Sequence, residues 1–381
     1  MKFQVNRDAL HEAVSFVVRL LPQRTTLQIL SGILIEADAN ALRLSVFDYE
    51  VSAQVEIVAK VDQAGRVLVS GRLLADIVNK LPNAPVEIHL DGTKVFITCG
   101  PAKFNLATMD LEAYPPLPEI PEVSGTVSGE NFSEAVGQVH VASSNNDVMP
   151  QLNGINIEAG DKVLTLSATD RYRVAVRDLS WNMTNDVTGR TALVPARILQ
   201  EVSKTFSNQG DIAISFANLG DREMIAFTAN NRSVTALLIK GNFPAVKPLF
   251  PANVAEYAIV GRNDIEEATK RVSLVLERES PLKYSFEDGS VLLEASANEN
   301  AQASESVPSE LTGKGIVVSL RPNFLLDGIH GVHTEFVKIA FTNNDNPNKP
   351  GPVLITNHGA KDKSESDTFR YLLQPNLLGS R

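Results

Sequence analysis

Side chains able to do covalent or acid–base chemistry are few and scattered in this 381-residue chain. His330 and His333 stand three apart, a spacing that could turn two imidazoles toward one metal, yet no further ligand pair lies near them, so a solvated surface is the better expectation. Asp48 with Glu50, and Asp170, could pass for paired carboxylates. Because Asp48 and Asp170 end matching strands of a repeat, a role in turns is expected instead. Thr312-Gly313-Lys314-Gly315 lacks the upstream glycine and the trailing Ser/Thr of a phosphate loop. There is no Gly-x-Gly-x-x-Gly, no Cys/His set with zinc spacing, and no serine or cysteine with recognisable activating partners. Cys99, the single cysteine, falls on the apparent strand Val95-Phe96-Ile97-Thr98-Cys99, cannot form an internal disulfide and reads as buried filler. No catalytic, metal or cofactor site is expected, and the scaffold becomes the informative part.

That scaffold repeats. A constant offset of 122 relates Leu30-Ser31-Gly32-Ile33-Leu34-Ile35-Glu36-Ala37 to Leu152-Asn153-Gly154-Ile155-Asn156-Ile157-Glu158-Ala159, and Leu42, Leu44, Ser45 and Asp48 to Leu164, Leu166, Ser167 and Asp170. A fainter third copy shares landmarks. Val5, Val127 and Val260 each precede a residue that can cap a helix (Asn6, Ser128, Gly261). Apolar residues then recur at helical spacing: Leu10, Ala13, Val14, Val17, Val18 and Leu21; Phe132, Ala135, Val136 and Val139; Ile265, Ala268, Val272 and Leu276. A Val-x-x-Arg landmark (Val69/Arg72, Val194/Arg197, Val318/Arg321) opens a second helix per copy, with Leu73, Leu74, Ile77 and Val78 apolar in the first and Pro322 in the first turn of the third.

Between these helices the period changes to two. Leu42-x-Leu44-x-Val46, Val86-x-Ile88-x-Leu90, Leu164-x-Leu166, Ile212-x-Ile214-x-Phe216 and Val337-x-Ile339-x-Phe341 predict half-buried strands, separated by turns such as Asp91-Gly92 and Asp288-Gly289. Copies one and two end in the stiff joints Tyr114–Pro121 and Pro244–Pro251, which predicts an α+β protein of three domains, 1–121, 122–251 and 252–381. With 43% hydrophobic residues the chain can bury real cores. It shows neither an apolar run of transmembrane length nor a signal-peptide core, so a cytoplasmic protein without membrane contact is expected.

The three-copy order, Met1-Lys2-Phe3-x-Val5, Arg24-x-Thr26-Leu27-x-Ile29-Leu30, Ala168-Thr169-Asp170-Arg171-Tyr172-Arg173-Val174-Ala175-Val176, Phe243-Pro244 and Tyr371-Leu372-Leu373-x-Pro375 together resemble the β sliding clamp of bacterial replicative DNA polymerase, the DNA polymerase III β subunit family, in an actinobacterial-like or paralogous form. The resemblance spans essentially the whole chain. It implies a head-to-tail homodimeric ring that encircles duplex DNA without regard to sequence and tethers the replicative polymerase, the clamp loader and other proteins through short peptides. No catalysis of its own is implied.

Geometry agrees with that implication. Two chains of three copies supply twelve helices, and at roughly 9–10 Å between axes they make a circle about 35–38 Å across. Removing one helix diameter of about 10 Å leaves roughly 25 Å, room for a duplex and water. A net charge of −10 opposes DNA binding unless cations gather on the helices. Arg7, Arg19, Arg262 and Arg321 lie there, and the candidates for DNA contact are Arg24, Arg72, Lys80, Asn146, Arg197, Lys204, Lys270 and Arg271. Glu12, Glu134, Glu266 and Glu267 on the same helices should dilute the field and give a shallow salt dependence.

By the resemblance, Phe104 and Leu106 would meet Leu274 and Val275 at the dimer interface. The implied peptide pocket comprises Leu152, Thr169, Tyr172, Arg173, Val174, Pro244, Leu249, Phe324, Leu372, Leu373, Pro375 and Leu377. Two departures from the family pattern, the tail Gln374-Pro375-Asn376-Leu377-Leu378 and the pair Pro150-Gln151, keep open an alternative: a divergent paralogous clamp, or a scaffold, with altered peptide specificity.

Overall fold

A computed structural model describes every residue except 23–24, 147, 221, 278–279, 298–300, 343–349, 360–367 and 377–381, and the side chains of 219 and 297. Arg24, Leu377, the middle of the turn-rich loop after Thr342 and the polar stretch from Lys361 to Asp367 therefore lie outside the described residues.

Six α-helices stand among the described residues, two per copy: α1 (Arg7–Arg19), α2 (Gly71–Lys80), α3 (Gly129–His140), α4 (Ala196–Phe206), α5 (Arg262–Val272) and α6 (Pro322–His330). Their starts follow the predicted caps. The Asn6 side chain accepts the amides of Asp8 and Ala9 at 2.9 and 3.1 Å, and Ser128 accepts that of Asn131 at 3.5 Å, filling donors that a helix start leaves unpaired. Pro322 occupies the first turn of α6. Each helix buries one face: Leu10, Ala13, Val14 and Val17 on α1, and Leu74, Ile77 and Val78 on α2. Each of the Leu, Ile and Val side chains contributes about 1.5–3 kcal/mol when fully buried. Leu73 departs from the predicted apolar set; one position off the buried stripe of α2, it faces solvent.

The chain divides into two compact units, Met1–Ser133 with Trp181–Leu238 and Glu134–Ser180 with Ile239–Arg381. In the first, a 13-stranded antiparallel sheet passes from Gly125–Ser128 through Asp211–Leu219, Arg222–Ala229 and Arg232–Leu237 to Val51–Gln63, then through Lys2–Val5, Val86–Asp91 and Lys94–Cys99 to Ala102–Ala107. In the second, the order is Gly154–Ala159, Val163–Thr169, Arg173–Ser180, Phe369–Leu373, Val353–His358, Phe336–Phe341, Glu256–Gly261, Ala301–Thr312, Gly289–Ala297, Leu282–Glu287 and Ile316–Leu320.

One joint occurs twice in these sheets. Arg232 to Ala236, in the last strand of copy two, pair with Val55 to Val51 of copy one. Phe369 to Leu373, in the last strand of copy three, pair with Arg177 to Arg173 of copy two. Val51 and Arg173 are repeat-equivalent, so copies two and three each lend their final strand to the copy before. This lending is why the compact units cut across the repeats. The predicted strands stand as read, and Cys99 is buried with its Sγ against the Pro82 and Ala84 carbonyls at 3.2 and 3.3 Å.

Candidate partner site, charged helices and free strand edges

Strand Val163–Thr169 ends in a turn that Asp170 makes: its Oδ1 accepts the amides of Tyr172 and Arg173, each at 3.0 Å. Arg171 takes a left-handed φ of 78° at the apex. The Thr169 hydroxyl donates to the Arg173 carbonyl at 2.7 Å and accepts the Arg171 amide at 3.1 Å. This turn feeds Arg173 inward, where Nε donates to Asp170 Oδ2 at 2.9 Å and Nη1 donates to Asp327 of α6 and to Tyr371 Oη. Burial disfavours a guanidinium there, but Tyr371 and the carboxylates of Asp327 and Asp170 outweigh it and raise the Arg173 pKa. Tyr371, pushed up by its own burial, stays a neutral phenol and donates to the Phe324 carbonyl at 2.7 Å. A copy-two arginine thereby fixes α6 of copy three.

Above this network lies an aromatic rim. The Arg173 guanidinium carbon is 4.1 Å from the Phe324 ring centroid, and that of Arg321 is 5.2 and 5.3 Å from the Tyr172 and Phe324 rings. Tyr172 remains 51% exposed. Beside it, Val174 and Leu372 face each other across the ladder and pack with Val176 and Val246, covered by Phe243, Phe250 and Leu354. An exposed aromatic next to an aliphatic floor suits a short apolar peptide anchor.

Of the sequence candidates, Tyr172, Arg173 and Phe324 come together at the rim and Val174 and Leu372 on the floor. Leu249 and Pro244 are exposed on the second joint, whereas Leu152, Thr169, Leu373 and Pro375 are buried. Residue-level reading missed Asp327, Tyr371, Phe243 and Val246 as parts of the site. Phe243 could have been found from the apolar residues of the joint; Asp327 carried no local signal. Arg321, read as a helix cation, is the residue before α6 and belongs to the aromatic rim.

The helix cations are exposed but largely answered by carboxylates. On α5, Lys270 Nζ contacts Glu266 and Glu267 at 2.7 and 2.9 Å, and Arg271 is held by Glu305 at 2.6 Å. The Lys270 ammonium and His330, at 3.0 Å, hold Glu266 below the usual carboxylate range against its partial burial. Lys204 lies 3.6 Å from Glu201, and Arg72 donates to the Pro22 carbonyl at 3.0 Å. Lys80 and Arg197 carry no ion pair among the described residues, and Asn146 is exposed in a loop where it accepts the Val148 amide. His330 and His333 do not converge: His333 pairs with Glu134 at 3.1 Å, and no group of metal-ligating side chains exists among the described residues. Asp48 and Asp170 are turn-makers, as expected.

Two strand edges complete the picture. Ala102–Ala107 ends the first unit's sheet with Lys94–Cys99 as its ladder partner on one side; Phe104 is 37% exposed, but Leu106 is 2% exposed and belongs to the local core. In Ala301–Thr312, residues 301–309 pair with Gly289–Ala297, while Glu256–Gly261 covers the other side only from Ser309 onward. Leu274 is 83% exposed in the turn after α5.

Models of the N-terminal, central and C-terminal domains of the DNA polymerase III beta subunit match residues 1–118, 126–245 and 247–365. The chain is 41% identical to a beta sliding clamp of Streptomyces coelicolor over 98% of this chain and 99% of that one. It is 37% identical to the beta sliding clamp homolog GriR of Streptomyces muensis, over 98% and 99%. Among solved structures, the sliding clamp of Bacillus subtilis superposes with a TM-score of 0.89 at 26% identity, covering 99% of both chains. A Pseudomonas aeruginosa clamp bound to griselimycin gives 0.89 at 24% identity, over 99% of this chain and 100% of that one. The chain belongs to the DNA polymerase III beta subunit family, the beta sliding clamps.

Proposed function

We propose that two copies of this chain, each with clamp domains 1–121, 122–251 and 252–381, close head to tail into a ring around duplex DNA and tether the replicative polymerase, the clamp loader and other DNA-processing proteins. The carrying observation is the joint used twice within one chain. Copies two and three each lend their last strand to the copy before, which leaves two unfilled places among the described residues: Ala102–Ala107 has no acceptor, and Ala301 to Glu305 have no donor on one side. Repeat-equivalence then pairs Ala102–Leu106 of one protomer with Ala301–Glu305 of its partner, a heterologous contact that closes when the rotation per copy is right. Exposed Phe104 and Leu274 would be covered by that contact.

Partner peptides dock on Tyr172, Phe324, Val174 and Leu372. Their apolar anchors displace water from the aliphatic floor while Arg173, neutralised by Asp170 and Asp327, keeps the rim in place. Phosphate contact comes from Lys80 and Arg197, which carry no ion pair among the described residues, and from Lys270 and Arg271 only where phosphate outcompetes Glu266, Glu267 and Glu305. The chain performs no chemical step; it keeps a polymerase on its template. The test is mass and shape in solution: dimers with a central hole are expected, with Leu274→Glu giving soluble monomers. Compact monomers of the unaltered chain at micromolar concentration would refute the ring.

A further inference from the structure

The internal repeat supplies a template for a second binding site. In the second unit, Arg370 stands opposite Val176. Its Nη2 donates to Asp178 Oδ2 at 2.7 Å, and its guanidinium carbon lies 5.4 Å from the Phe250 ring centroid. Thr165 donates to the other Asp178 oxygen at 2.7 Å. A guanidinium thus fills the space beside the second proline joint, with a carboxylate at its edge and an apolar side chain on its face.

The equivalent place in the first unit is open. The offset of 122 carries Val176 to Gln54, Asp178 to Glu56 and Thr165 to Arg43, and the ladder sets Ser233 opposite Gln54, where Arg370 stands in the other unit. Ile120 precedes the last proline of its joint, as Phe250 does in the second. With serine in place of arginine, a cavity of about 590 Å³ remains, bordered by Arg43, Gln54, Glu56, Glu119, Ile120 and Ser233, a size ordinary for ligand sites. Arg43 occupies one side of Glu56 at 3.0 Å. Arg232, also at the border, is spent on Glu12 at 2.8 Å. Glu119 has no ion pair among the described residues, so the cavity carries an unanswered negative charge.

We propose that this cavity receives an arginine side chain of a partner polypeptide, in the place that Arg370 takes in the second unit. Glu119 and Glu56 accept from the guanidinium edge, and Ile120 covers its face. A lysine, lacking the plane and the fork of donors, fits less well. The site is separate from the peptide pocket and does not rest on that reading.

Methyl-labelled full-length protein, titrated with N-acetyl-arginine amide and with N-acetyl-lysine amide, tests it. The arginine probe should shift the Ile120 and Val55 methyl signals, with the lysine probe binding at least about fivefold more weakly. Ser233→Arg, which installs the sister copy's side chain, should abolish the response, and Glu119→Gln, on an exposed side chain, should weaken binding about tenfold. No shift at Ile120, equal responses to both probes, or an unchanged affinity in Glu119→Gln would overturn the proposal. Glu119→Gln decides the matter even if Ser233→Arg fails to fold.

Discussion

The turns at Asp48 and Asp170 share a backbone and differ in purpose. Each aspartate accepts two amides, at 3.0 and 2.8 Å in the first and at 3.0 Å twice in the second. Each apex residue, Tyr49 or Arg171, takes a left-handed φ, 71° or 78°. Beyond the turn the side chains diverge. The first unit continues with Val51 and Ser52, whose hydroxyl meets that of Thr235 at 2.7 Å in a buried, self-satisfied pair. The second continues with Arg173 and Val174, which faces Leu372. At these positions the first joint is polar and self-satisfied, while the second offers an apolar floor beneath an aromatic rim. Repetition supplies the backbone at little cost in new sequence, and two side-chain changes per strand decide whether these positions lock to each other or form an apolar floor.

The largest effect that should separate the two joints is on stability. Arg173→Met strands Asp170 and Asp327 and should lower the unfolding free energy by about 2–4 kcal/mol, the lower part of the range reflecting partial exposure; denaturant titration checks it. Substituting the equivalent, buried Val51 with Ala should cost less, about 1–2 kcal/mol. Next comes adhesion: Tyr172→Ala should weaken a generic clamp-binding peptide about tenfold to a hundredfold in fluorescence anisotropy, whereas Tyr49→Ala, half exposed on the equivalent turn, should leave it unchanged. Equal losses would collapse the comparison.

A smaller change is expected at the buried hydroxyl pair of the first joint. Ser52→Ala leaves the Thr235 hydroxyl unpaired and should cost roughly 1–2 kcal/mol, while the double change Ser52→Ala with Thr235→Val should recover most of it. A double-mutant cycle measures the coupling. The smallest effect concerns pH. Lys270 first, then His330, lower the Glu266 pKa in the folded state against burial, so its contribution is present above the ordinary glutamate pKa of about 4.3 and is lost as pH falls through the depressed folded value. Glu266→Gln should lower stability slightly near neutrality and hardly at all in acid, where the contribution is already lost, so the acid limb of a stability–pH profile flattens.

Much of this fold was legible locally. The Asn6 cap, Pro322 in its first turn, the alternation of Leu42, Leu44 and Val46, and the turn role of Asp48 and Asp170 all follow from interactions within a few residues, which is the range over which periodicity and capping operate. The candidate site was legible only in part. Tyr172 and Val174 could be read from the family motif, but Asp327 lies 154 residues from the arginine it holds. Leu73 shows the limit of apolar pattern alone: it is read on α2 beside Leu74, Ile77 and Val78, but the helix turns it to solvent.

By itself, the sequence determined the threefold repeat, the two helices in each copy and the proline-rich joints between copies, because each is encoded in neighbouring residues and their spacing. Tertiary structure decided which copy lends a strand to which, that Asp327 of α6 meets Arg173, and that one joint is filled by Arg370 while its counterpart stays open. Those outcomes depend on side chains meeting across more than a hundred residues of chain, where only the packed ladder fixes who faces whom.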